Sequence, residues 1–533
     1  MYDIVVGGGV VLDGTGRPGE LLDLAVTGDR IVALGRLGEA DARRHLDATG
    51  LVVAPGFVDP HSHTDFTVHA NRDLHSTVRQ GVTTEVVGNC GISNAPVSDR
   101  SRSEVDARLR NYGYDGAASW RSFGEYLDDV EAGGISHNLA WLAGHSAIRA
   151  AVGVRGERAT EAEMAAMGRH VEEAMEAGAL GISTGLEFRE GRLAPTDELL
   201  ELAMVVGRHD GFYVSHIRNR DSAIIEAITE FLDITRLSGS HGQISHLNVR
   251  HDTGAPPRAW EQAVGLMEGA RVRGVDVEAD MTPFQQGDGD MAGILPPWLL
   301  QDGPENAACL LGDPDVRRRV RADSDRYWRF IHKGQWNRVR LLRSPQFGDY
   351  DGWTFPAIAA ARGRDEWECF FDILEASGPQ LENMEMIGDL FTDEDLAAQL
   401  SHPLFSCGVD AFSSAVPDDN SAVMPSPLSF SGHVRYLGVY VRERGVLSLE
   451  EMVQKMTSRP ATRFGLKGRG RIASGYYADL VVFDPATIAS KSTFDDPAYY
   501  PTGVPWVIVN GKIVVDGGTH TGGRPGRVLR RPA

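Results

Sequence analysis

Lysine is nearly missing from this 533-residue chain: there are five, the first at Lys333, against 48 arginines. Residues 1–332 therefore offer no side-chain amine to any site. Cysteine is scarce as well. Cys90, Cys309, Cys369 and Cys407 are too few and too scattered for a disulfide scaffold, so a reducing cytoplasm is the expected setting. Positive charge is outweighed, with 53 Lys+Arg against 74 Asp+Glu and a formal net charge of −21. That surplus argues against nucleic acid or an anionic membrane surface as a partner, because both need clustered positive charge. No uncharged apolar run reaches the ~18 residues of a membrane span. Met1 to Val6 carry no basic stretch leading into a long apolar one, so no signal peptide is expected. Internal repeats and low-complexity tracts are also lacking. What remains is a globular composition, 42% hydrophobic and 24% charged, suited to a large core and a small-molecule substrate.

The two ends of the chain read as β-structure. Ile4 to Val11, Leu22 to Val26 and Arg30 to Leu34 are short β-prone runs separated by turns at Asp13-Gly14 and Gly28-Asp29. Near the other end, Ala478 to Asp484 and Trp506 to Val515 read alike, and Asn510-Gly511 between apolar runs signals a hairpin. The spacing predicts one small sheet domain built from residues 1–55 and 465–533, with a loosely ordered tail from Gly517 to Ala533. The middle alternates between apolar runs and amphipathic stretches. The runs are Leu51–Val58, Val82–Val87, Asn138–Leu142, Ala179–Ser183, Gly211–Val214, Gly242–Ile244, Val275–Glu278 and Leu404–Val409. Glu161–Ala177, Thr196–Arg208 and Ser222–Arg236 are helical in pattern. Strands alternating with helices make a parallel sheet, and eight units fit an α/β fold of the (β/α)8 TIM-like barrel type over residues 56–464. A doubly wound open sheet is the alternative, but no GxGxxG opens a helix after an early strand. Between strands seven and eight, residues 284–400 form a large insertion holding Trp298, Trp328, Trp336, Trp353 and Trp367. It is expected to be a lid or pocket wall, or else an outer helical layer.

Chemistry gathers at the strand ends. The first run closes with Asp59-Pro60-His61-Ser62-His63. Residues i and i+2 on a strand point the same way, so His61 and His63 can share a cation such as Zn²⁺. An isolated HxH is weak evidence, but strand five ends at His216, strand six at His246 and strand eight at Asp410. One such histidine would more often be structural. Several at matching strand ends point to a barrel active site. Cys90 follows strand two, in Gly88-Asn89-Cys90-Gly91. A lone cysteine is usually an inert buried thiol, although a thiolate is a strong zinc ligand.

The Pro60-His61-Ser62-His63-Thr64-Asp65 segment resembles the first metal motif of the amidohydrolase superfamily. Gly81 to Ser93, Gly178 to Glu187 and Met456 to Ala461 resemble the D-aminoacylase (N-acyl-D-amino-acid deacylase) family within it, over nearly the whole chain. The resemblance implies a barrel beside a small β-sandwich. It implies a tight zinc site of Cys90, His216 and His246, a second, weaker site at His61 and His63, and Asp410 as general acid/base. The carboxylated lysine of other amidohydrolases is impossible here, since strand four has none. Zinc-activated water would attack the carbonyl of a non-peptide amide. His145 matches a Gly-His segment after strand three and is a candidate substrate contact.

Four substrate contacts usual in that family are replaced. Its lysine after the strand-six histidine is Asn248, its strand-four tyrosine is Phe188, and its later arginine and tyrosine are Leu428 and Phe430. Arg220 stands where the family has an acid. An unpaired buried carboxylate is costly, so the substrate is expected to lack the usual free carboxylate, or to offer it elsewhere to Arg218, Arg220 or Arg435. A metal-dependent lyase or hydrolase acting on another bond of a specialised metabolite is the alternative function. A non-catalytic binding protein would be expected to have lost ligands, and none is lost.

Overall fold

Eight short parallel strands form the middle of the protein in the computed structural model. It describes residues 1–531 apart from 39, 155, 324–327, 345 and 417–425. They are β1 (Phe57–Asp59), β2 (Val82–Val87), β3 (Asn138–Gly144), β4 (Gly181–Gly185), β5 (Phe212–His216), β6 (His241–Ile244), β7 (Val277–Met281) and β8 (Phe405–Cys407). They pair in sequence order from β1 to β8. The ring nearly closes just beyond the strand ends. There Asp410 N donates to His61 O at 3.0 Å and His63 N to Ala411 O at 2.8 Å. Strands and intervening helices agree with the (β/α)8 reading. Helix Glu161–Glu176 begins on a Thr160–Glu163 capping box and buries Met167, Val171, Ala174 and Met175 against the barrel.

The run Leu51–Val58 is not one strand. Val52–Pro55 pairs antiparallel with Leu480–Phe483 in the terminal sheet, and Phe57–Asp59 starts the barrel. Gly56 makes the transfer. A Cβ there would sit 2.1 Å from the Thr83 side chain, so only glycine lets the two sheets pass so closely. The terminal sheet has nine strands drawn from both ends of the chain, with its own core of Ile4, Leu24, Val26, Leu480 and Ile508. Asn510 and Gly511 take φ of 46° and 74° between Val509 and Lys512, as the two-residue hairpin requires.

The tail departs from the expected loose order. Val528–Leu529 adds in parallel to β3, and Arg524, Arg527 and Arg530 pair with Asp73, Asp29 and Asp128. Its arginines find carboxylates on an acidic body, which composition alone could not show. Within the insertion, Gln286–Asp290, Val339–Arg343 and Glu385–Asp389 form a small antiparallel sheet. Trp328, Trp336 and Trp367 pack with Phe330, Phe355 and Phe370 in a core continuous with that of the barrel, and none of them lines the cavity described below. No helix among the described residues is long and apolar enough to cross a membrane.

Candidate metal centre

The strand-end residues converge. Cys90 Sγ lies 3.5 Å from His61 Nε2, 3.7 Å from His216 Nδ1 and 3.4 Å from His246 Nε2. Asp410 Oδ1 lies 3.2 Å from His61 Nε2 and 3.1 Å from His63 Nε2. Two groups of donors result, each within 4.8 Å: His61, His63, Cys90 and Asp410, and Cys90, His216 and His246. Cys90 belongs to both. Cys90, His246 and Asp410 carry φ of 54°, 32° and 58°, a left-handed backbone that costs energy outside glycine. Each turns its side chain inward just after a strand has ended.

Two rings turn one nitrogen to the cluster while the other faces a carboxylate, and the third is backed by a guanidinium. His61 Nδ1 lies 3.2 Å from Asp280 Oδ1, and His216 Nε2 lies 2.7 Å from Glu187 Oε2. Arg220 Nη1 lies 2.8 Å from His246 Nδ1. Carboxylates behind imidazoles raise their donor strength and fix their tautomer. A guanidinium does the opposite, so His246 is the poorest donor of the three. Burial, followed by the Arg220 charge, holds His246 down at about 4. Glu187 is itself clamped by Arg250 through two hydrogen bonds. Burial raises its carboxyl, but Arg250 and His216 outweigh that and keep it well below the usual range.

The field at the centre is negative. Burial disfavours charge on His61 and His63, yet the former is held well above its ordinary value by Asp280 and Asp410, and the latter is raised to about 10 by Asp410 and Cys90. Burial raises the Cys90 thiol, and His61 and His246 bring it well below its ordinary value. A site that draws protons onto imidazoles this strongly draws a cation too. Sulfur, nitrogen and oxygen donors with anchored outer atoms suit a borderline divalent metal of the zinc type.

A cavity of about 210 Å³ opens onto the centre. His63, Cys90, His216, His246 and Asp410 line it, with Phe188, Leu428 and, from the insertion, Asp288, Leu342 and Glu385. The insertion is thus one wall. Other expected contacts lie elsewhere. His145 is buried on Glu198 at 2.8 Å. Arg218 is occupied by Glu230 and three backbone carbonyls, and Arg435 by the Pro283 carbonyl. Asn248 is fully buried off the cavity, and its amide makes no hydrogen bond. Phe430 packs on Tyr500. Glu187, Asp280 and Asp288 were not singled out from sequence. Asp280 could have been, since it lies at the C-terminal end of β7, as His216 does of β5.

A barrel that gathers imidazoles, a thiol and a carboxylate at its strand ends can hold a metal ion where such barrels carry out their chemistry. Comparison with known proteins makes the class specific. The amidohydrolase family model matches residues 44–322 and 415–515. D-aminoacylase of Alcaligenes xylosoxydans xylosoxydans is 35% identical over 534 residues, covering 100% of this chain and 98% of that one. The N-acyl-D-glutamate deacylase of Bordetella bronchiseptica, solved with zinc and a phosphonate inhibitor, superposes with a TM-score of 0.82 at 32% identity over 99% of both chains. A D-aminoacylase structure described as having a binuclear metal centre gives a TM-score of 0.80 at 32% identity over 100% of both. The chain belongs to the amidohydrolase family, on its D-aminoacylase branch.

Proposed function

We propose that the protein is a zinc-dependent amidohydrolase that cleaves a non-peptide amide, in the manner of an N-acyl-D-amino-acid deacylase but on a substrate without the usual free carboxylate. The observation that carries this is the pairing of a complete donor cluster with an altered wall. Phe188 and Leu428 line the cavity, and Asn248 and Phe430 are buried away from it. Four positions tied to carboxylate recognition by the family resemblance thus present no cation to the substrate.

Cys90, His216 and His246 would hold one zinc ion, with His61 and His63 offering a second, weaker site. Bound zinc would polarise the amide carbonyl and bring the pKa of water towards ~7. Asp410 supplies the proton transfers. Burial raises its carboxyl, but His246 and His61 hold it well below the usual range, so it begins as a base. It takes a proton from the attacking water and returns it to the nitrogen as the C–N bond breaks, leaving an acid and an amine. Glu187 and Asp280 keep His216 and His61 aimed.

The test is metal analysis together with amine release by zinc-loaded protein from N-acetyl-D-amino acids and their decarboxylated analogues, with Asp410→Asn as the blank. Release from the decarboxylated compounds, absent in the blank, is expected. Faster release from the free acids would overturn the altered specificity, and silence on all of them would overturn the amidase reading.

A further inference from the structure

Asp288 faces the cavity from the insertion strand Gln286–Asp290 and forms no ion pair among the described residues. Its side chain is exposed to the water of the cavity. The cavity's two described arginines are already engaged. Arg108 is held by Glu104 and the Ser93 carbonyl, and Arg220 by His246 and Glu187. Two of the stretches that line the cavity hold no Lys or Arg at all, from Arg273 to Arg317 and from Asp410 to Arg435, ends excluded.

A second, independent feature stands in the same cavity. Phe66, Tyr112 and Phe412 form a continuous aromatic wall, with ring centroids 5.1 Å and 5.3 Å apart. Phe66 stacks on His63 at 5.1 Å, which puts this wall beside the metal centre. Aromatic faces attract cations through their quadrupole and offer nothing to a carboxylate. A carboxylate lining a cavity attracts a positive charge on a ligand and repels a negative one.

We propose that the substrate carries a protonated amino group besides its amide, bound between Asp288 and the Phe66–Tyr112–Phe412 wall. This rests on the amidohydrolase reading above and reverses the charge that the branch is expected to recognise. Asp288 is then a specificity residue, separate from the proton transfer at Asp410.

Three N-acetyl compounds of equal length test it: an N-acetyl diamine, an N-acetyl alkylamine and an N-acetyl amino acid. The diamine derivative should exceed the alkylamine in kcat/KM by about tenfold or more, with an advantage that shrinks as salt rises. Asp288→Asn should collapse that ratio towards one, and Asp288→Lys should move the preference to the amino acid. Zinc content of Asp288→Asn should equal that of the unaltered protein; a loss would make Asp288 a metal ligand and overturn the assignment. Equal turnover of diamine and alkylamine derivatives would also overturn it, while leaving the amidase reading intact. Calorimetry with the free diamine and alkylamine on zinc-loaded protein judges the inference apart from turnover. The diamine should bind more tightly, and equal binding would reject the proposal even if the whole panel stayed uncleaved.

Discussion

Cys90 Sγ lies 3.4 Å from His246 Nε2, across 156 residues of chain. Both residues have left-handed backbones, so the loops after β2 and β6 must each be held in a strained shape for the contact to exist. Cys90 is also the one donor shared by the two groups of candidate ligands. The centre is therefore one unit hinged on a thiol.

Removing that thiol should dismantle both halves. Cys90→Ser is expected to weaken zinc binding by more than about 100-fold, beyond the loss typical of an outer hydrogen bond. Equilibrium dialysis against zinc is the direct measurement. Near-normal affinity would show that the histidines hold the metal without sulfur.

Asp410→Asn keeps the size of the side chain and removes the base. About 10²- to 10⁴-fold of kcat should disappear, the usual scale of a proton-transfer group, with zinc still bound. Single-turnover assays with metal analysis on the same sample separate the two effects.

Arg220 behind His246 makes a sharper claim. Arg220→Gln takes away a charge that weakens the ring as a donor. Zinc affinity should rise by about tenfold, against the usual direction for an outer-residue change. A competition titration with a chromophoric chelator reads the change, and weaker binding would count against the guanidinium's role.

The Glu187–Arg250 pair is buried, with Arg250 1% exposed and Glu187 6% exposed. Arg250→Met leaves a buried carboxylate without its main partner, at a cost of about 3–5 kcal/mol. The apparent thermal midpoint should fall clearly. Glu187→Gln combined with Arg250→Met should recover part of the loss, which calorimetric scans of the three variants would reveal.

Far from the centre, His241 and Asp276 meet at 2.6 Å where the strands begin. The Asp276 hydrogen bond raises His241 above its ordinary 6.5, and the same bond, with Arg463 nearby, pulls Asp276 far below its ordinary value. A raised histidine stabilises fully below 6.5 and loses that contribution as pH climbs through the raised value. The depressed aspartate contributes above 3.8 and fades as pH falls towards its lowered value. His241→Asn should therefore lower the thermal midpoint most near about pH 5 and hardly at all near about pH 9. A constant difference across that range would exclude the linkage.

Much of this protein is legible in one dimension. Alternating apolar runs and amphipathic stretches dictate the barrel, because a buried parallel strand and a half-buried helix each have a period that sequence displays directly. His61, His63, Cys90, His216, His246 and Asp410 are legible too, because each follows an apolar run that must end at the same rim of the barrel. Their partners are not. Asp280 behind His61, Arg220 behind His246 and Glu187 between His216 and Arg250 depend on which loops lie side by side around the ring. Arg218 and Arg435 do not line the cavity for the same reason: Glu230 and backbone carbonyls hold the first, and the Pro283 carbonyl holds the second. Asp288 lies more than 120 residues before Asp410 in the chain, and only the folding of the insertion over the strand ends sets the two carboxylates against each other. Periodicity decides which residues reach the rim; the directions of side chains from irregular, partly left-handed loops, and the charges they meet there, are decided by the tertiary structure alone.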